Sequence, residues 1–290
     1  MEQLKIKSLE NTPVEVLHAA FLEAFSDYEV KLDMPLEKFR EMMTIRDLNP
    51  NYSLGCFDGD HLVSFIICGY REQNGLRYCY DGGTGTIASH RKRGLGNKLV
   101  TELVSSFKAK KIHSFILEVL ENNTAAIELY KKNGFSTTRR LCCYTTDVNS
   151  ITTPPQVGSY KIKEESAAWY KDINIENYLS FKPSWQNDKA SVLNVKGSYA
   201  YISVYNADKL IGFGCIHKDK GDIPQIGVLE QFRGKNVESI IVNGLKLKAQ
   251  CNNIRYLNIE ETDYLNGTLS SIGFTNYINQ YEMILPIESA

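Results

Sequence analysis

The amino-acid sequence predicts an α/β fold with a mixed sheet, laid down twice along the chain. Three observations lead there. Hairpin-linked apolar runs between Tyr52 and Ile87 are followed by a helical pattern and a further apolar strand, which is how antiparallel strands join a strand–helix–strand unit. A Thr-, Pro- and Gly-bearing stretch, 149–159, with Thr152-Thr153-Pro154-Pro155 and Gly158, interrupts the chain near its middle. The second half then repeats the punctuation of the first: Gly94 and Gly234 are 140 positions apart, and Phe135 and Phe274 are 139 apart. A chain of 290 residues suits two domains. Their expected bounds are 1–148 and 160–290, with 149–159 as linker.

Each element has a local reason. Leu4 to Ser8 reads as a short strand. Val14 to Phe25 reads as a helix, with Leu17, Ala20, Phe21, Ala24 and Phe25 on one stripe behind Pro13. Pro35 to Arg46 is a second helix, with Leu36, Phe39 and Met43 on one side. Tyr52 to Phe57 and His61 to Tyr70 are strands joined at Asp58-Gly59-Asp60. Gln73-Asn74-Gly75 turns the chain back into Leu76 to Ile87. The helix that follows, to about Phe107, buries Leu99, Val100, Leu103, Val104 and Phe107. Ser114 to Val119 then lies parallel to Leu76–Ile87 through a right-handed crossover. Thr124 to Asn133 is a short helix, with Asn123 placed to cap it and Gly134 to end it. Arg140 to Thr146 completes the first sheet. In the second half, Lys209 to Ile216, Gln225 to Leu229 and Arg255 to Glu260 read as strands. Val237, Ile240, Ile241, Gly244 and Leu245 mark a helix face.

Composition removes several function classes. A net charge of −1 argues against a broad nucleic-acid surface. No apolar run is long enough to cross a bilayer, and Met1 to Glu10 carries charge where a signal peptide needs an apolar core. Seven cysteines without regular spacing suit reduced thiols in a cytoplasmic protein, and no His/Cys/Asp cluster has the spacing of a metal site.

The chemistry gathers at Arg91-Lys92-Arg93-Gly94-Leu95-Gly96-Asn97, which joins a strand end to a helix start. A helix N-terminus offers unpaired N–H groups and a partial positive charge, so it attracts phosphate. Gly94 and Gly96 let a ligand lie against the backbone, and three basic residues add charge. On these grounds the turn is a site for a phosphorylated cofactor. Downstream lies Asn123-Thr124-Ala125-Ala126-Ile127-Glu128-Leu129-Tyr130-Lys131-Lys132-Asn133-Gly134-Phe135. With both motifs in this order, the sequence from about Leu54 to Tyr144 resembles the GNAT family of acetyl-CoA-dependent N-acetyltransferases. Arg91, Gly94 and Gly96 match its pyrophosphate loop. Asn123, Ala126, Leu129, Tyr130, Gly134 and Phe135 match its second signature.

The resemblance implies two tandem GNAT-like domains, acetyl-CoA as cofactor, and transfer of an acetyl group to an amine by direct attack in a ternary complex. It implies that the cofactor lies along Ile87, Ala88, Ser89, Arg91, Lys92, Arg93, Gly94, Leu95, Gly96 and Asn97, and touches Asn123 and Tyr130. It also implies that the Leu76–Ile87 strand splays from Ser114–Val119, and that the first two helices with Ser26-Asp27-Tyr28-Glu29-Val30 line the acceptor pocket. Tyr130 is the candidate general acid. Asp81 and Glu118 are the candidate bases, with proton removal through ordered water as the alternative; His90 falls on the turn and His113 just before a strand. The acceptor is a small-molecule or peptide amine that the sequence does not identify. A non-catalytic CoA-binding or partner-binding module, or a related acyl or aminoacyl transferase, are the other readings. In the second copy Leu269 stands for Tyr130, Thr262 for Asn123, and Asn236 for the second glycine, so that copy is expected to lack catalysis. Completing the acceptor pocket or forming a homodimer are the roles open to it.

Overall fold

The apolar run Leu62–Cys68 is continuous, not alternating, which suits a strand covered on both faces. In the computed structural model, which describes residues 4–27, 34–152 and 160–287, every residue from Leu62 to Gly69 is buried. The chain divides into two compact units, Met1–Thr138 with Glu282–Ala290, and Arg139–Tyr281.

The first unit contains β1 (Lys5–Ser8), α1 (Val14–Ala24), α2 (Leu36–Ile45), β2 (Leu54–Asp58), β3 (His61–Gln73), β4 (Leu76–Thr86), α3 (Leu95–Ala109), β5 (Ser114–Leu120) and α4 (Thr124–Lys132). Strands β1 to β4 pair antiparallel in succession, and β5 lies parallel to β4. Helices α1 and α3 both pack on β3. The helical stripes point inward as their spacing requires: Leu17, Ala20, Phe21 and Ala24 of α1, and Leu99, Val100, Leu103 and Phe107 of α3, are buried.

Two irregularities of β4 shape the site. Its register against β3 slips between Ile67 and Cys68, which face Gly83 and Asp81 and leave Gly82 as an extra residue. A Cβ at Gly82 would lie 2.2 Å from Leu48 Cδ2, so a larger residue in the bulge must displace the Leu48 side chain. Arg46 Nη1 donates to the freed Gly82 carbonyl at 2.9 Å. On the other edge, β4 and β5 pair only from Tyr78↔Ser114 to Asp81↔Leu117. Beyond those pairs β4 runs on to Thr86 and β5 to Leu120, so the two strands part.

Strand β6 (Ser136–Asp147) runs from the first unit into the second. There follow β7 (Tyr160–Glu165), α5 (Ala167–Asp172), α6 (Lys189–Asn194), β8 (Tyr199–Asn206), β9 (Lys209–His217), β10 (Asp222–Ile223), β11 (Gln225–Val228), α7 (Val237–Lys246), β12 (Asn253–Glu260), α8 (Leu265–Ile272) and β13 (Thr275–Pro286). Strand β12 pairs antiparallel with β6 and parallel with β10. Strands β11, β9, β8 and β7 form a separate antiparallel sheet.

Three expectations need amendment. The units divide within β6, after Thr138, and the chain returns to the first unit from Glu282 within β13; the expected change was at residue 148. The Pro-rich stretch 149–159 is therefore not where the units divide. Residues 153–159 of that stretch lie outside the described residues, as do Tyr28, Glu29 and Val30. The repeat is also displaced. Helices α3 and α7 begin at Leu95 and Val237, 142 positions apart, after Gly94 at φ +73° and Asn236 at φ +65°. Asn236 therefore matches Gly94, and Gly234 (φ +68°) matches Lys92 (φ +60°). Asn tolerates the left-handed region better than other side chains, which hides the match in sequence. Strands β7 and β8 went unread in the sequence.

Phe39 of α2 is fully buried, with its ring centre 5.3 Å from those of His18 and Phe21. Phe39→Ala is expected to lower unfolding free energy by about 3–5 kcal/mol, read from urea denaturation.

Candidate functional site

The parted strands open onto the start of α3. Gly94, the N-cap residue of α3, has left-handed backbone and no side chain caps the helix. The first backbone N–H groups of the helix therefore keep their capacity to bind an anion. A Cβ placed on Gly94 would meet nothing within 4 Å, so the space above it is open. Gly96 has a different role: a Cβ there would lie 3.3 Å from Leu129 Cδ2, and glycine lets α3 approach α4.

A cleft of about 600 Å³ lies over this turn. Thr84, Gly85 and Thr86 of β4 form one wall, and Asn123, Ala125, Ala126 and Leu129 form the other. Ala24, Phe25, His90, Arg91, Lys92, Gly94, Leu95, Gly96 and Asn97 complete it, with no carboxylate among the described residues of the lining. Asn123 caps α4, its Oδ1 accepting from Ala126 N at 3.2 Å.

Of the residues expected along the cofactor, Ile87, Ala88, Ser89, Arg93 and Tyr130 do not line this cleft. Ile87 is 2% exposed, because its side chain belongs to the core. Ala88 and Ser89 form a short 3-10 turn with His90. Arg93 Nη2 donates to Ser89 O at 3.0 Å. Arg91 lines the cleft, yet its guanidinium holds the frame together. Nε donates to Thr86 O at 3.0 Å, Nη2 to Ala24 O at 2.8 Å and to Asp27 Oδ1 at 2.8 Å. The same guanidinium holds the Asp27 carboxyl below the usual carboxylate range. Arg91 thus ties the end of α1 to the end of β4, and Lys92 is the basic side chain of this loop for which no such anchor is seen.

Below the cleft the structure joins two of the candidate catalytic residues. Tyr130 Oη donates to Asp81 Oδ2 at 2.8 Å. Thr84 Oγ1 donates to the same oxygen at 2.6 Å, and Gly83 N donates to Oδ1 at 3.0 Å. Thr84 also lines the cleft, so it connects the pair to the open space. Burial raises the Asp81 pKa, opposed by the hydrogen bonds from Thr84, Tyr130 and Gly83 and by the charge of Arg46. Burial also pushes the Tyr130 phenol well above its ordinary value, and the Asp81 charge adds to that. Glu118 is placed differently. It accepts a hydrogen bond from Tyr80 Oη, and because Tyr80 and Asp81 are neighbours on a strand, the two pairs stand on opposite faces of the sheet.

The histidines do not join these pairs. His90 bonds Ser89 Oγ at 2.9 Å and Asp58 Oδ2 at 3.2 Å, and exposed His113 stacks edge-on with Tyr78 at 5.5 Å. Thr84, Tyr80 and Arg46 were not singled out from sequence. Thr84 stands three residues after Asp81, but only the bulge at Gly82 brings the two side chains together. Among the described residues no group of three or more His, Cys, Asp or Glu is placed to hold a metal, and no helix is long and apolar enough to cross a membrane.

Comparison with known proteins agrees with this geometry. The Acetyltransferase (GNAT) family matches residues 14–135. GCN5-related N-acetyltransferase 6, chloroplastic, of Arabidopsis thaliana is 29% identical over 91 residues, which are 31% of this chain and 32% of that relative, so the match spans about a third of its length. Among solved structures, a tandem GNAT protein from the clavulanic acid biosynthesis pathway aligns with a TM-score of 0.75 at 11% identity, over 99% of this chain and 100% of its own. A GCN5-related N-acetyltransferase from Sphaerobacter thermophilus aligns with a TM-score of 0.74 at 12% identity, over 98% and 96%. Residues 14–135 accordingly match the GNAT acetyltransferase family, and the chain along its length has the fold of the tandem GNAT proteins.

Proposed function

We propose that the first unit binds acetyl-CoA and transfers the acetyl group to an amine of a small molecule or peptide. The parting of β4 from β5 beside the uncapped start of α3 carries this reading. The cleft fits the cofactor: it has open space over Gly94, a helix N-terminus for the pyrophosphate, no carboxylate among its described lining residues, and Lys92 at the rim. Gly94, Leu95, Gly96 and Asn97 would hold the phosphates, and Thr84–Thr86 with Asn123 would flank the arm. When bound, acetyl-CoA supplies a thioester carbonyl open to attack by the amine, with sulfur as leaving group.

The chain's part is to move protons. Asp81 Oδ2 takes a proton drawn from the attacking amine, either directly or through Thr84 Oγ1. Tyr130 gives its phenolic proton to the departing sulfur. The proton on Asp81 then returns to the Tyr130 oxygen along their 2.8 Å hydrogen bond. The nitrogen–carbon bond forms, the carbon–sulfur bond breaks, and one proton passes from nitrogen to sulfur. A raised Asp81 pKa brings the base nearer to neutral pH, and a raised Tyr130 pKa keeps the acid protonated.

Gly94→Glu places bulk and negative charge at the phosphates and should abolish acetyl-CoA binding in isothermal titration. Unchanged affinity would remove the cofactor from this cleft. Asp81 works ionised, so kcat/KM should fall as pH drops through its raised pKa. Asp81→Asn should erase that acid limb and lower kcat by about 10²–10⁴-fold. An acid limb that persists in Asp81→Asn would take Asp81 out of the chemistry and point to the Tyr80–Glu118 pair. Tyr130→Phe should lower kcat while leaving acetyl-CoA affinity as in the wild type.

A further inference from the structure

The second unit repeats the frame of the cleft in detail. Arg233 Nε donates to Val228 O at 3.1 Å, as Arg91 does to Thr86, and Nη2 reaches Leu179 O at 3.2 Å. Strands β10 and β12 pair as far as Ile223↔Tyr256, which lie 142 and 139 positions after Asp81↔Leu117. Past Ile223 the chain leaves β12 at Pro224 and continues as β11 in the other sheet. Phe274 N donates to Leu269 O at 3.0 Å, as Phe135 N does to Tyr130 O at 3.1 Å. The offset is therefore 142 through the start of α7 and 139 from β12 onward.

These offsets pair Gly96 with Glu238 and Ala125 with Tyr264. Both first-unit residues line the open cleft. Their counterparts fill the space. Glu238, in the first turn of α7, is 0% exposed. Its Oε1 accepts from Gly234 N at 3.1 Å and from Tyr264 Oη at 2.9 Å. Its Oε2 is buried with no hydrogen-bond partner. The Arg233 guanidinium lies 5.6 Å from the Tyr264 ring centre. A resident carboxylate thus sits beside the helix start on the Gly234 N–H, where an incoming phosphate would meet like charge.

The slot between the parted strands is bridged as well. Tyr256 Oη accepts from Ile226 N at 3.1 Å. Asn187 Nδ2 donates to Leu257 O at 2.6 Å, and Asn187 O accepts from Gln225 Nε2 at 2.8 Å. One residue therefore links β11 to β12 across the gap that the first unit leaves open.

We propose that the second unit is a cofactor cleft closed by its own side chains, with the Glu238 carboxylate as a built-in substitute for the phosphates and the Tyr264 ring filling the space beside it. Each chain then takes up one CoA, and cutting Glu238 and Tyr264 back to their first-unit counterparts opens a second site for a nucleotide diphosphate. The inference rests on the cofactor reading of the first unit, and its test separates the two. CoA is titrated into full-length wild type, Gly94→Glu, and Gly94→Glu/Glu238→Gly/Tyr264→Ala. The expected result is one site in the wild type, none in Gly94→Glu, and one regained in the triple variant, at least about tenfold tighter than in Gly94→Glu. One CoA bound to Gly94→Glu with Glu238 in place would overturn the inference, and that arm decides the matter even where the triple variant does not fold. A triple variant that melts cooperatively and binds no better than Gly94→Glu would overturn it too. Absence of binding to the wild type alone would instead refute the first-unit reading, and the gain in the triple variant would still be read independently.

Discussion

The site depends on one geometric constraint, that β4 holds two neighbours over its first half and one over its second. Up to Asp81 it is paired with β3 and β5; after Asp81 it stays with β3 alone. The bulge at Gly82 marks the change. A glycine there leaves room for the Leu48 side chain, which would stand 2.2 Å from a Cβ, and the bulge re-aims the side chains that follow. Its carbonyl, turned out of the ladder, is satisfied by Arg46. Asp81 is left at the fork, with Thr84 and Tyr130 donating to it from the strand and from α4. The cleft and the Tyr130–Asp81 contact both lie at this parting.

Much of this was legible because it rests on local rules. The amphipathic spacing of α1 and α3, the Asn123 cap, the end of α4 at Gly134 and the left-handed Gly94 follow from short-range sterics and hydrogen bonding. The pairing of Tyr130 with Asp81 was only half legible. Both residues stood out, but 49 positions separate them, and the bulge that aims Asp81 leaves no periodic trace. The role of Arg91 was hidden for another reason. Three consecutive basic residues look equivalent in sequence, and only the fold brings the carbonyls of Ala24 and Thr86 to one of them.

The second unit keeps the frame of the first while the side chains at its site positions differ. Its arginine clamp, its pair of left-handed residues and the register of its central strands are kept. What differs is volume and charge at positions the frame does not need, where Gly96 and Ala125 give way to Glu238 and Tyr264. A buried carboxylate with one oxygen unpaired is a destabilising feature by itself. The start of α7, the Gly234 amide and the Tyr264 hydroxyl offset it. The shift of the repeat from 142 to 139 obscured this in sequence, because it set Gly234 against Gly94.

The central claim is that the cofactor lies across the fork, with its phosphates on α3 and its arm along β4. Amide hydrogen exchange of the full-length protein, followed by NMR with and without acetyl-CoA, tests it most directly. The account predicts added protection at Leu95, Gly96 and Asn97 and at Thr84 to Thr86, with the amides around Glu238 unchanged. Protection that is absent from α3 and β4, or that appears at the start of α7 instead, would contradict it.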